Sequence, residues 1–290
     1  MKTRKPQIRH GVLFLFLFFI SIAGYSQGTD LFIGGKSRFY VGFTLSPVQS
    51  GISINAPAAL TQLEYDRKSS LSFSMVAGFM FSDYFGISSG LGYSTLKSEI
   101  MAGRYAINYD TTDVNESYTR FITGDNIKET QQISYIKIPL IINTQIPMGK
   151  KFGMFLNTGL NLMFPVSNHF NNSGRFTYEG YYPAYNVRIT GVPYEGFEKD
   201  YSNSDEGEIQ IKPINLGLTA SGGIQYSPGE KIQFSLGLTY DSFFSDISDY
   251  GETGNYRLSS NPGQMKSIME GSSASTASSL GLAFSIRFFL

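Results

Sequence analysis

The sequence predicts an all-β fold: eight antiparallel strands closed up-and-down into a transmembrane β-barrel with long extracellular loops. Three observations carry that expectation. Alternation of apolar with small polar residues recurs in eight separate runs. These runs are joined in turn by tight turns and by stretches of about 25 to 45 residues. Their polar faces hold Gly, Ser, Asn and Thr, with almost no charge. A soluble sandwich would show Lys and Glu to water on that face, whereas small uncharged residues suit an enclosed lumen and the opposite Leu, Ile and Phe faces suit lipid.

The runs follow in order. Arg38–Ser46 places Phe39, Val41, Phe43 and Leu45 on one face. Residues 71–82 align Leu71, Phe73, Met75, Phe79 and Phe81, and 85–96 align Phe85, Ile87, Leu91 and Tyr93. Gly86, Gly90 and Gly92 on the facing side make no dinucleotide fingerprint and read as lumen packing. Residues 133–145 are less clean, with Ile136, Ile138, Leu140 and Ile142 on one face. Runs at 152–164, 214–226, 232–243 and 277–290 complete the set. Tight turns fall near Asp83, at Pro147–Lys150 and at Ser227–Glu230, so every long loop leaves one end and both termini lie at the other. A ten-stranded barrel is the alternative, because Arg175–Tyr178 and Asn186–Ile189 are strand-like. Pro139 and Pro213 predict bulges, since a closed barrel has no free edge for proline.

The chain begins with the order of a secretory signal: Lys2, Arg4, Lys5 and Arg9, an apolar run of 12 residues from Val12 to Ala23, then Gly24 and Ser26 before a cut at Gln27. Residues 1–26 are therefore a removable signal peptide, 27–36 a short periplasmic segment and 37–290 the barrel, with an outer-membrane location. Removing 1–26 leaves 19 basic and 23 acidic residues, a net charge of −4. This balance predicts no nucleic-acid partner. With no Cys, disulfides, thiolate metal sites and Cys nucleophiles are excluded. No cofactor is expected.

The strand Tyr135-Ile136-Lys137-Ile138-Pro139-Leu140-Ile141-Ile142, the tight turn, and Phe155-Leu156-Asn157-Thr158-Gly159-Leu160-Asn161-Leu162 resemble the central hairpin of the small outer-membrane β-barrel family of Bacteroidota. The resemblance, of PorT type and similar to OmpA- and OmpX-like eight-stranded barrels, spans the barrel and implies a link to secretion or gliding machinery. The terminal Arg287-Phe288-Phe289-Leu290 departs from the final Phe or Tyr usual in such barrels.

The candidate residues are few. Lys137 and Arg287 fall on inward faces and need partners, and Asp241 is the acid inside a strand core. The loop Pro165–Glu208 carries Tyr178, Tyr181, Tyr182, Tyr185, Tyr194 and Tyr201 as candidate surface recognition, because tyrosine offers amphipathic contact area at low entropic cost. Its acids Glu195, Glu198, Asp200, Asp205, Glu206 and Glu208 read as a solvated face or a Ca²⁺ site. Asp110-Thr111-Thr112 resembles a short O-glycosylation sequence, and Gly271–Ser279 reads as flexible loop. His169 is the one His beyond the signal peptide, and no sequence feature supplies it with a catalytic partner. The expected role is non-catalytic: an accessory barrel, set in outer-membrane lipid, presenting its loops to a protein partner. An outer-membrane hydrolase and a small pore are the alternatives.

Overall fold

A computed structural model describes residues 38–113, 116–250 and 256–290; the expected signal peptide and the expected 27–36 segment lie outside the described residues. Ten strands form: β1 (Arg38–Ile54), β2 (Leu60–Met80), β3 (Phe85–Asp113), β4 (Glu116–Pro147), β5 (Phe152–Tyr182), β6 (Val187–Ile189), β7 (Tyr201–Glu208), β8 (Asn215–Tyr226), β9 (Ile232–Phe243) and β10 (Ser275–Phe289). Eight of them close a ring in the order β1-β2-β3-β4-β5-β8-β9-β10, with β10 pairing back to β1 from Tyr40–Phe289 to Ile54–Ser275. The strands β6 and β7 are outside the ring and pair with β5. The strand-like piece Arg175–Tyr178 is part of β5, and Val187–Ile189 is β6, so the ring keeps eight strands.

One end carries the tight turns. Gly149 takes φ +95° there, a conformation that favours glycine. On that half the outward side chains form an apolar band: Phe39 and Leu45, Phe73 and Met75, Leu140 and Ile142, Leu236 and Leu238, Leu282 and Phe284 are all exposed. From Leu280 to Phe288 on β10 the band covers nine residues, the length a tilted strand needs to span hydrocarbon. Within it, strands approach closely at Gly159, where a Cβ would stand 2.0 Å from the Leu140 carbonyl oxygen.

The other end, the mouth, differs from the expected set of long loops. β3, β4 and β5 run for 29, 32 and 31 residues, well beyond the band. Segments expected as loops at 97–113, 116–132 and 165–182 are strand, and β1 reaches β2 through residues 55–59 alone. The long connections are two, between β5 and β8 and between β9 and β10. The physical reason is an exchange of faces. Inside the band the outward face is apolar; past it the inward face is apolar, with Ile100, Ile122, Ile127 and Ile133 fully buried. The outward face there carries ions such as Lys68 and Lys128, both paired to Glu99 at 3.2 and 2.9 Å. Period-2 alternation persists, but its polarity inverts near Tyr135–Ile136, where the sequence run was least clean.

The prolines are absorbed differently from expectation. Pro139 makes no bulge: β4 keeps one register with β3 on either side of it, the ladder simply lapsing between the Leu140 and Lys137 pairs, while pairing to β5 continues through Asn161. Pro213 lies before β8, outside any strand. The register shifts fall instead between Arg67 and Ser72 against β3, and between Asp125 and Lys128 and between Ser134 and Tyr135 against β5, the last beside Pro165.

Candidate functional site

Three levels stack along the barrel axis. At the turn end, Gln145, Gln225 and Gln233 converge from β4, β8 and β9: the Gln225 and Gln233 amides each donate to Gln145 Oε1 at 3.4 Å. All three are buried and sit on the inward phase of their strands, the one signal that marks them in the sequence.

Above them lies a polar lumen with a cavity of about 80 Å³, lined by residues including Thr44, Ser72, Ser88, Asn157 and Ser285. That volume holds a few water-sized molecules, well short of a continuous channel. The two cations and the acid that sequence placed on inward faces all line it. Lys137 donates to Ser72 Oγ at 2.8 Å and pairs with Asp241 across 3.8 Å. Asn161 donates to the other Asp241 oxygen at 3.2 Å. Arg287 donates to Asn143 Oδ1 at 3.0 Å, and its guanidinium lies 4.9 Å from the Tyr40 ring centre.

The third level is an apolar core filling the mouth. The β9–β10 connection turns inward, burying Leu258, Met265, Ile268 and Met269 against Tyr105, Ile122, Phe176 and Tyr178. A 3-10 turn at Ile268–Gly271 is capped by the Ser267 hydroxyl, which accepts from Met269 N–H at 3.1 Å. Beneath it Glu129, fully buried, accepts from Gln131 (2.6 Å), Ser267 Oγ (2.8 Å) and Ile268 N–H (2.6 Å). Burial pushes its carboxyl above the usual carboxylate range, against those three donors. Asp246 fastens the neighbouring chain: its Oδ1 accepts from the N–H and hydroxyl of both Ser248 and Ser275 at 2.7–3.1 Å. Burial works against it, but those donors hold its carboxyl below the usual range. The tract expected as flexible loop runs from the end of the 3-10 turn at Gly271 into the first residues of β10, tied down at Ser275. Neither acid was singled out in the sequence; Glu129 shares an inward phase with Ile127 and Gln131, which is the available signal.

Beyond the core, β3, β4, β5 and β6 continue as a blade. Arg120 is buried on it, with its guanidinium 5.6 and 5.4 Å from the Tyr178 and Phe197 rings, and donates to the Gly196 carbonyl at 2.9 Å. The tip segment 183–197 is pinned by this contact and by the Val192–Phe197 bridge.

The six candidate tyrosines separate. Tyr178 is fully buried, hydrogen-bonded to Ser259 at 2.7 Å and to Asn203 at 3.1 Å, so it belongs to the core and not to the surface. Tyr201 packs partly against the same core. Tyr182 stacks on Tyr118 at 4.9 Å and Tyr181 is half-buried. Tyr185 and Tyr194 are the exposed pair, at 62% and 100%, beside exposed Val187 and Val192. Among the described residues no three His, Cys, Asp or Glu are grouped to hold a metal. Asp205 is engaged by Met265 N–H at 3.0 Å. His169 lies exposed on β5 between Gln132 and Glu208 in the ladder. Asp110 accepts from Thr119 at 2.7 Å near the blade tip.

A ring of eight strands, an apolar outer band and a polar lumen define a β-barrel protein of the outer membrane. The chain belongs to the family described as outer membrane protein beta-barrel domain, whose model matches residues 25–249. No curated protein matches the chain. Among solved structures it is similar to Neisserial surface protein A, at 10% identity over 87% of this chain and 98% of that one, TM-score 0.37. It is also similar to OprG of Pseudomonas aeruginosa, at 13% identity over 88% and 96%, TM-score 0.30. A third is Ail of Yersinia pestis, at 9% identity over 88% and 100%, TM-score 0.28.

Proposed function

We propose that this outer-membrane barrel is a non-catalytic accessory component that presents the tip of its mouth blade to a protein partner outside the cell. The observation that carries the reading is the pair Tyr185 and Tyr194, exposed with Val187 and Val192 on a segment anchored by Arg120 to a packed core. A rigid base lowers the ordering cost of binding, and exposed aromatics supply its contact area. The turns and both chain ends then face the periplasm, and residues 1–26 serve as the export signal. The YIKIPLII hairpin supports placing the protein with the PorT-type barrels of Bacteroidota, and through them with secretion or gliding machinery. The pore reading is disfavoured by the glutamine layer, the small lumen cavity and the filled mouth.

Replacing all of 165–208 would remove half of β5 and all of β7, and with them core residues Phe176 and Tyr178. Replacing 183–197 with a short turn, alongside the point variant Tyr185→Ala/Tyr194→Ala, leaves the wall intact. Native mass analysis after gentle extraction from the parent membranes is expected to give an assembly larger than the barrel, lost in both variants. A lone barrel in the parent, or an assembly that survives both changes, overturns the proposal. Protease cleavage near Lys199 on intact cells tests the orientation.

A further inference from the structure

The lumen charges do not balance. Among the described residues, Lys137 and Arg287 face inward within the apolar band against a single acid, Asp241, and that acid already pairs with Lys137 at 3.8 Å. Asp241 cannot also serve Arg287. In the β9–β10 ladder Asp241 stands opposite Ser279 and Arg287 opposite Gln233, eight residues apart, or about 26 Å along the strand. The guanidinium is 7% exposed, and among the described residues no carboxylate reaches it. Its Nη2 has Asn143, whereas Nη1 is buried with no hydrogen-bond partner, as is the Tyr40 hydroxyl under the same guanidinium. An isolated buried cation is strongly disfavoured, and Arg has no neutral form to fall back on. Arg287 lines the 80 Å³ cavity together with the hydroxyls of Thr44, Ser88 and Ser285 and the amide of Asn143.

We propose that this cavity is a binding site for one small monovalent anion, chloride in the cell, held by Arg287 and the surrounding hydroxyls. One negative charge balances the lumen. The donor set, the unpartnered Nη1 of the guanidinium with the hydroxyls of Thr44, Ser88 and Ser285, suits a halide. The glutamine layer on one side and the packed mouth on the other exclude larger organic anions and make the ion one that is captured as the barrel closes.

The test uses the full-length mature chain refolded from urea into detergent in sodium bromide, with sodium gluconate, whose anion is too large to enter, as the reference. Crystals grown in bromide are expected to show an anomalous bromine peak within hydrogen-bonding reach of the Arg287 guanidinium. In solution the urea midpoint is expected to rise in bromide relative to gluconate, and that rise is expected to vanish in Arg287→Gln. Bromine peaks on the surface alone, an adventitious ion only, overturn the proposal, as does a lumen filled by water at saturating bromide. If Arg287→Gln fails to fold, the anomalous experiment on the parent chain decides alone.

Discussion

Ile268→Ala tests whether the inward-turned β9–β10 segment is a packed plug held independently of the wall. Ile268 is fully buried among Ile100, Ile122, Ile127 and its neighbours, and its N–H bonds to Glu129 at 2.6 Å. Truncation keeps that backbone bond and removes only the side chain. Deleting a buried Ile costs about 2–5 kcal/mol, depending on how far the site collapses. The strands around the plug hold their own ladders, so the loss falls on local opening and not on the barrel as a whole. At about 1.4 kcal/mol per factor of ten, opening of residues 256–274 becomes roughly thirty- to several-thousand-fold more frequent. Hydrogen–deuterium exchange with peptide-level mass analysis, in detergent micelles, reads this directly. Peptides from 256–274 are expected to exchange faster by that factor, with β8, β9 and the lower half of β10 unchanged. Unchanged exchange in 256–274 refutes the plug. Equal loss of protection in the plug and in β8–β10 refutes its independence from the wall.

Four further substitutions separate the other levels. Asp246, held below its ordinary value by donors from Ser248 and Ser275, contributes stability that is present above pH 3.8 and lost as pH falls through its lower folded value. Glu129, raised by burial, acts in the opposite sense: its contribution is complete below pH 4.5 and is lost as pH rises through its folded value. Urea midpoints across the pH range are therefore expected to flatten at the acid end in Asp246→Asn and above pH 4.5 in Glu129→Gln. Arg120→Met keeps the stem but loses the bond to the Gly196 carbonyl and both ring contacts, a loss of about 1–3 kcal/mol; limited proteolysis is expected to cut 190–199 while the barrel resists. Gly159→Val places side-chain carbon 2.0 Å from the Leu140 carbonyl oxygen and pushes β4 from β5 within the band, so the folded form is expected to be lost on unheated gels.

The part of the fold that contacts lipid was legible from sequence because one solvent on each side writes one rule. Phe39, Phe73, Leu140, Leu236 and Phe284 stand outward and Ser72, Asn161 and Ser285 inward, as their alternation requires. The lengths of β2 to β5 were not legible, because a reader who fixes the apolar face as outward stops where that face changes side. Tyr178 shows the same error at one residue: in a polar, loop-like stretch it reads as surface, yet it sits on the inward phase of β5 with Phe176 and Asn172. The roles of Glu129 and Asp246 were not legible for another reason. Their partners lie 138 or more and up to 29 positions away, at Ser267, Ile268 and Ser275, and no local pattern encodes such convergence.

The inversion has a consequence for how the two halves are stabilised. In the band the wall faces hydrocarbon, so apolar burial against the lumen gains nothing, and the interior can be filled by hydroxyls, amides and the Lys137–Asp241 pair. Past the band the wall, built from the extensions of β1 to β5 and β10 with β7, faces water on its outer side and needs a hydrophobic interior. Wall residues Ile100, Ile122, Ile127 and Ile133 supply part of that interior, and the inward turn of Leu258, Met265, Ile268 and Met269 completes it. The plug is then required by the length of the strands. A barrel that projects this far above lipid needs a core there, and the segment that fills the core is the same one that closes the lumen.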